Sequence, residues 1–97
     1  MKNENKNQTA EIKLTPASAE LLRLYADDAG NWSGMPLVGG NVGGVKEDRG
    51  NLTDLKIKGL IRTFDDEGTW VIFNQPAVDW LNANHPCEDG WDWLTNA

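Results

Sequence analysis

The sequence predicts an α+β domain built from three main helices and one two-stranded β-hairpin. Three observations carry this expectation. Leu52, Leu55 and Gly59 follow one helical face at i, i+3, i+7 spacing. Two β-prone runs, Leu60–Phe64 and Thr69–Phe73, flank the short turn Asp65-Asp66-Glu67-Gly68. Thr15-Pro16 and Asn74-Gln75-Pro76 each open a further helical pattern.

Residues 1–12 are polar and rich in Asn and Lys, and read as a disordered leader. The rest, 13–97, has the size of one domain. Thr15 is placed as an N-cap, with Pro16 at the first helical position, where its missing N–H is no loss. Ala17, Leu21, Leu24 and Tyr25 form the expected apolar stripe, with Glu20, Arg23 and Asp27 outside it. This helix is expected to end near Ala29-Gly30.

Residues 31–44 are interrupted by glycines, each of which weakens a helix by roughly 0.5–1 kcal/mol relative to Ala. Two readings fit residues 42–58. One long helix would run from Val42, with Val42, Val45, Leu52, Leu55 and Gly59 inward. Alternatively, 42–48 form a short helix, Arg49-Gly50-Asn51 a turn, and a second helix starts at Leu52. The apolar period favours the first and Gly50 the second. Gly59 suits a helix stop because a C-terminal residue there needs positive φ, and Lys56 and Lys58 suit the negative dipole end. The last helix carries Ala77, Trp80 and Leu81 inward and stops before His85-Pro86; the tail has material for one more turn.

The segment Asn51–Phe73 runs helix end, glycine stop, hairpin. Its phrase Leu-Thr-Asp-Leu-Lys-Ile-Lys-Gly-Leu-Ile (52–61) resembles the recognition-helix end of small winged helix-turn-helix regulators of bacteria, archaea and phages. That resemblance implies a winged-helix fold with the hairpin as its wing. It also implies a short edge strand after the first helix, for which Pro36–Val38 is the candidate. The family's second helix would fall in the Gly-rich stretch and is expected to be degenerate or a loop. The implied function is sequence-specific binding of double-stranded DNA by a transcriptional regulator, phage-like in type and a homodimer.

Charge is unevenly placed. The chain carries a net charge of −6, yet residues 46–62 hold five basic and three acidic side chains, and residues 63–97 hold seven acids and no Lys or Arg. At 100° per residue, Lys46, Arg49, Thr53 and Lys56 fall within a sector of about 80°, away from Leu52 and Leu55. A helix so patterned presents Arg for guanine and Lys or Thr for phosphate. The DNA-contact set is therefore Lys46, Arg49, Asn51, Thr53 and Lys56, with Arg62 at the hairpin base in support. The acidic tip Asp65-Asp66-Glu67 opposes phosphate, by up to ~1 kcal/mol for each carboxylate before screening. It leaves open a second function, a protein-interaction module, inhibitor or adaptor, that docks on a basic partner through its acidic wing and tail.

Five tryptophans are many for 97 residues. Trp70 is expected to pack on the helices, and Trp32 to cap the core or stay partly exposed. Trp80, Trp91 and Trp93 are assigned either to packing within the chain or to an interaction or dimer surface.

Other chemistries lack their parts. Gly39–Gly44 has no Gly-Lys-Ser/Thr ending for a phosphate loop. His85 and Cys87 stand without a second ligand pair, so no metal is expected. One His in a polar tail builds no catalytic triad. The reading is therefore no enzyme and no cofactor. No apolar run reaches the ~20 residues that span a bilayer, the start of the chain lacks a secretory h-region, and one cysteine excludes an internal disulfide. Cytoplasmic location is the resulting expectation.

Overall fold

A computed structural model describes residues 12–44 and 46–96 of the chain. The expected leader up to Glu11, and Val45, lie outside the described residues. The architecture is α+β: three α-helices and a two-stranded antiparallel sheet. The helices are α1 (Pro16–Asp28), α2 (Glu47–Ile57) and α3 (Gln75–Asn84), and the strands are β1 (Ile61–Asp65) and β2 (Thr69–Phe73).

Helix α1 starts as its sequence requires. The Thr15 hydroxyl accepts the Ser18 N–H at 3.1 Å, and Pro16 occupies the first turn. Its inner face, however, is rotated from the predicted stripe. Ser18, Leu21, Leu22, Tyr25, Ala26 and Asp28 are buried, whereas Ala17 is exposed and Leu24 is 42% exposed. Two polar side chains lie inside because each finds polar partners there, as described below. The helix tightens into a 3-10 turn over Ala29–Trp32.

Residues 33–44 contain no helix. Pro36–Val38 lie along the outer edge of β2: the Val38 N–H donates to Thr69 O at 2.8 Å and the Val71 N–H to Pro36 O at 2.9 Å. The chain then doubles back, with the Gly39 N–H on Val42 O at 2.8 Å. Of the two readings for 42–58, the uninterrupted helix holds through Gly50, so the expected turn at Arg49–Asn51 is corrected. The long helix is corrected too, because α2 begins at Glu47 and Val42 bridges to Val38 instead.

The end of α2 is set by its glycine. Gly59 takes φ +78°, its N–H reaches Lys56 O, and the Leu60 N–H reaches back to Leu55 O, both at 3.0 Å. This doubly bonded glycine cap also brings Leu55 and Leu60 together in the core, both fully buried. The chain emerges directly into β1, which pairs with β2 from Ile61↔Phe73 to Asp65↔Thr69. The left-handed residue of the turn is Glu67, at φ +53°, while Gly68 sits at φ +133°.

Ile61, Val71 and Phe73 join Leu21, Leu22, Tyr25, Leu55, Leu60, Val78 and Leu81 in one core. Each fully buried side chain of this kind contributes about 1.5–3 kcal/mol. Ile12, assigned to the leader, packs against that core, and its carbonyl accepts the Trp80 indole N–H at 3.1 Å. The tail returns as a 3-10 turn over Asp92–Asn96. No helix is long and apolar enough to cross a membrane among the described residues.

Candidate nucleic-acid interface

Helix α2 is weakly apolar and anchors through few side chains. Leu55 is its fully buried residue and Leu52 is half-buried. A polar clasp completes the anchor: the Ser18 hydroxyl donates to Asp54 Oδ2 at 2.8 Å, and Lys58 Nζ reaches the same carboxylate at 3.0 Å. These two partners, Lys58 first and Ser18 second, hold the Asp54 carboxyl below its usual range. With this side committed to the protein, the opposite side of α2 faces solvent.

Lys46, Arg49, Thr53 and Lys56 are all exposed there. Among the described residues none of the three cations takes part in an ion pair; the pairs present are Arg23–Glu20, Lys58–Asp54 and His85–Asp27. Ile57 belongs to the same face and is 78% exposed. By helical rotation the five residues share an arc of about 100°. Gly50 lies beside them, and a Cβ placed on it would meet nothing within 4 Å. The face is thus cationic, with one aliphatic side chain and a stretch of bare backbone.

Two predicted contacts do not join it. Asn51 lies on the inner side of α2, half-buried, with Oδ1 3.5 Å from the Ser18 hydroxyl. It is corrected from a DNA-contact residue to a helix-packing one, because its rotation places it about 160° from Thr53. Arg62 is exposed on β1, but its Nε donates to Asn74 Oδ1 at 3.0 Å. It lines a cleft of about 360 Å³ with Met35, Ile72, Asn74, Gln75 and Thr95, to which α2 contributes no residue.

The anionic groups cluster elsewhere. Asp65, Asp66 and Glu67 are exposed at the hairpin tip, where Asp65 accepts the Thr69 hydroxyl at 2.8 Å. Asp27, Glu88 and Asp89 surround a second cleft with Trp91 and Trp93.

Of the two readings for these tryptophans, packing within the chain holds for Trp80 and Trp91. Trp80 is 6% exposed and bonded to Ile12 O; Trp91 is 5% exposed, with its indole N–H on His85 O at 2.7 Å. Both indoles are core, and only Trp93, at 39% exposure, faces outward. A further element escapes sequence reading. Asp28, 6% exposed, accepts Asn31 Nδ2, Asn41 Nδ2 and Trp32 Nε1, each at 2.8 Å. Burial pushes its carboxyl up, but the three hydrogen bonds together outweigh it and hold it below the usual range. This hub shapes the Gly-rich stretch; an acid followed by Asn and Trp within one turn is the faint signal for it.

Among the described residues no group of three His, Cys, Asp or Glu side chains is placed to hold a metal ion. No protein-family model matches the chain, and no significantly similar curated protein or solved structure was found.

Proposed function

We propose that this chain is a small sequence-specific DNA-binding regulator of winged-helix type, with α2 as its recognition helix and double-stranded DNA as its partner. One observation carries the reading: Lys46, Arg49 and Lys56 stand exposed on one face, unpaired with any carboxylate among the described residues, in a protein whose net charge is −6. The order of elements is compatible with it: α1, an edge segment, α2 and a hairpin follow one another as in winged helices, with a Gly-rich loop where the family's second helix would fall.

The chemistry follows from the side chains. Arg49 offers two parallel N–H donors to guanine O6 and N7, and Lys46, Thr53 and Lys56 suit phosphate oxygens. Ile57 supplies an apolar contact for a thymine methyl group. Gly50 lets the helix backbone approach closely. Few cations mean few phosphate contacts, so nonspecific affinity is low and its salt dependence shallow.

The hairpin tip favours a second reading. Its three exposed carboxylates repel phosphate, and an inhibitor or adaptor that docks on a basic protein would use them.

Selection of bound sequences from a random DNA library, followed by mobility shifts over a salt series, tests the first reading. Arg49→Ala is expected to weaken the selected site by roughly 1–3 kcal/mol and to relax one base position, and Lys56→Ala to lower the salt slope by about one. Both are expected to leave the melting temperature unchanged. No enrichment and no shift at low salt would reject DNA binding in favour of the protein partner.

A further inference from the structure

The hairpin and the segment that follows α1 border a groove of about 410 Å³ lined by Trp32, Met35, Phe64 and Trp70, with Asp66 and Glu67 at its rim. Trp32 and Trp70 meet edge to face, with centroids 5.6 Å apart. Their polar ends are already used: the Trp32 indole N–H donates to Asp28 at 2.8 Å and that of Trp70 to Asp66 O at 2.9 Å. The groove therefore offers apolar surface to a visitor. Phe64 is 37% exposed although it lies on a strand. The carboxylates of Asp66 and Glu67 make no hydrogen bond or ion pair among the described residues.

We propose that this groove receives the Lys56-Ile57 corner of α2 from a second copy of the chain. The occupant must be aliphatic and cationic at adjacent positions, because the floor is aromatic and the rim anionic. This chain carries such a corner. Ile57 is 78% exposed, and Lys56 beside it has no carboxylate partner among the described residues. Lys58 is already held by Asp54, so Lys56 carries the charge pairing.

Overall charge sharpens the choice. Two copies, each with a net charge of −6, repel in a random encounter. Attraction requires that the positive stretch of one meets an acidic stretch of the other, and the corner against the rim does that. The predicted dimer surface at Trp80 and Trp91 is closed by burial, so this contact uses a different face. A contact of this size belongs to the weak, reversible class of interfaces. It also covers the face proposed for DNA, so self-association and DNA binding exclude each other. The contact itself does not depend on the DNA reading.

Sedimentation velocity of the full chain without nucleic acid, from micromolar to millimolar concentration, tests the proposal. The wild-type sedimentation coefficient is expected to rise with concentration, and to rise less at high salt. Ile57→Glu on one side and the pair Asp66→Lys with Glu67→Lys on the other are each expected to weaken association about tenfold or more, equal to about 1.4 kcal/mol. All lie at the surface, and circular dichroism checks that they stay folded. Mixing Lys56→Glu chains with Asp66→Lys, Glu67→Lys chains is expected to restore a complex that neither forms alone. A wild-type chain that stays monomeric at millimolar concentration overturns the proposal. So does association indifferent to Ile57→Glu, or a mixture that fails to recover. Failure to bind DNA at concentrations too low for association would reject the DNA reading alone.

Discussion

The Ser18 hydroxyl donates a 2.8 Å hydrogen bond to the Asp54 carboxylate, joining α1 to α2 across 36 positions of sequence. Ser18 is 1% exposed and faces a helix with few apolar anchors. A hydrogen bond to a charged acceptor in such a place does more than a surface ion pair.

Ser18→Ala removes that donor and leaves Asp54 with Lys58. The expected loss is about 1–2 kcal/mol of stability, read by urea denaturation. Lys58→Ala, at the solvent side of the same carboxylate, is expected to lose less, within about 1 kcal/mol. Equal effects from the two would refute the buried clasp.

Asp28 gives the fold a defined acid sensitivity. Its carboxyl titrates below the usual range in the folded chain, so it binds protons more readily when unfolded. Its contribution is complete above the ordinary aspartate range and is lost as pH falls through the lower folded value. Asp28→Ala strands three donors and is expected to destabilise by about 2–4 kcal/mol near neutrality. The variant's deficit should narrow in acid; a constant deficit across pH would contradict the role of the charge.

Two glycines should respond in opposite directions. Gly43 sits at φ +85°, and a Cβ there would collide with the Tyr25 hydroxyl and approach its ring carbon to 2.9 Å. Gly43→Ala is expected to destabilise by about 2–4 kcal/mol, from overpacking and left-handed strain together. Gly50 is helical and open, so Gly50→Ala is expected to stabilise by roughly 0.5–1 kcal/mol. Thermal unfolding of both variants checks the contrast.

Tyr25 is fully buried, and its hydroxyl has no hydrogen-bond partner among the described residues. Burial first, and the Asp48 charge second, push its phenol up to about 12. The chain has one tyrosine, so absorbance of the phenolate reads this group directly. The folded chain should show no phenolate signal in the ordinary tyrosine range. A raised folded value favours the folded state below the unfolded value and is lost as pH rises through the folded one, so alkaline unfolding should set in between about 10 and 12. Tyr25→Phe is expected to keep or raise stability, since the deleted hydroxyl bonds nothing.

What the sequence determined by itself was local. Thr15-Pro16 capped α1, Gly59 stopped α2, the β-prone runs paired around their acidic turn, and α3 began after Asn74. Each depends on residues a few positions apart, whose backbone preferences and hydrogen bonds are complete within the segment. The exposure of Lys46, Arg49, Thr53 and Lys56 was legible for the same reason, because helical rotation alone set them opposite Leu55. Tertiary structure decided which polar groups went inside. Ser18 and Asp28 are buried, Asn51 turns inward and Leu24 stays out, because the partners that satisfy or cover a side chain come from distant segments. Trp91 became core and Ile57 remained bare on that account as well. Local periodicity placed Leu21, Tyr25, Leu55, Ala77 and Leu81 inward, but burial of a polar side chain depends on partners that arrive from elsewhere in the chain.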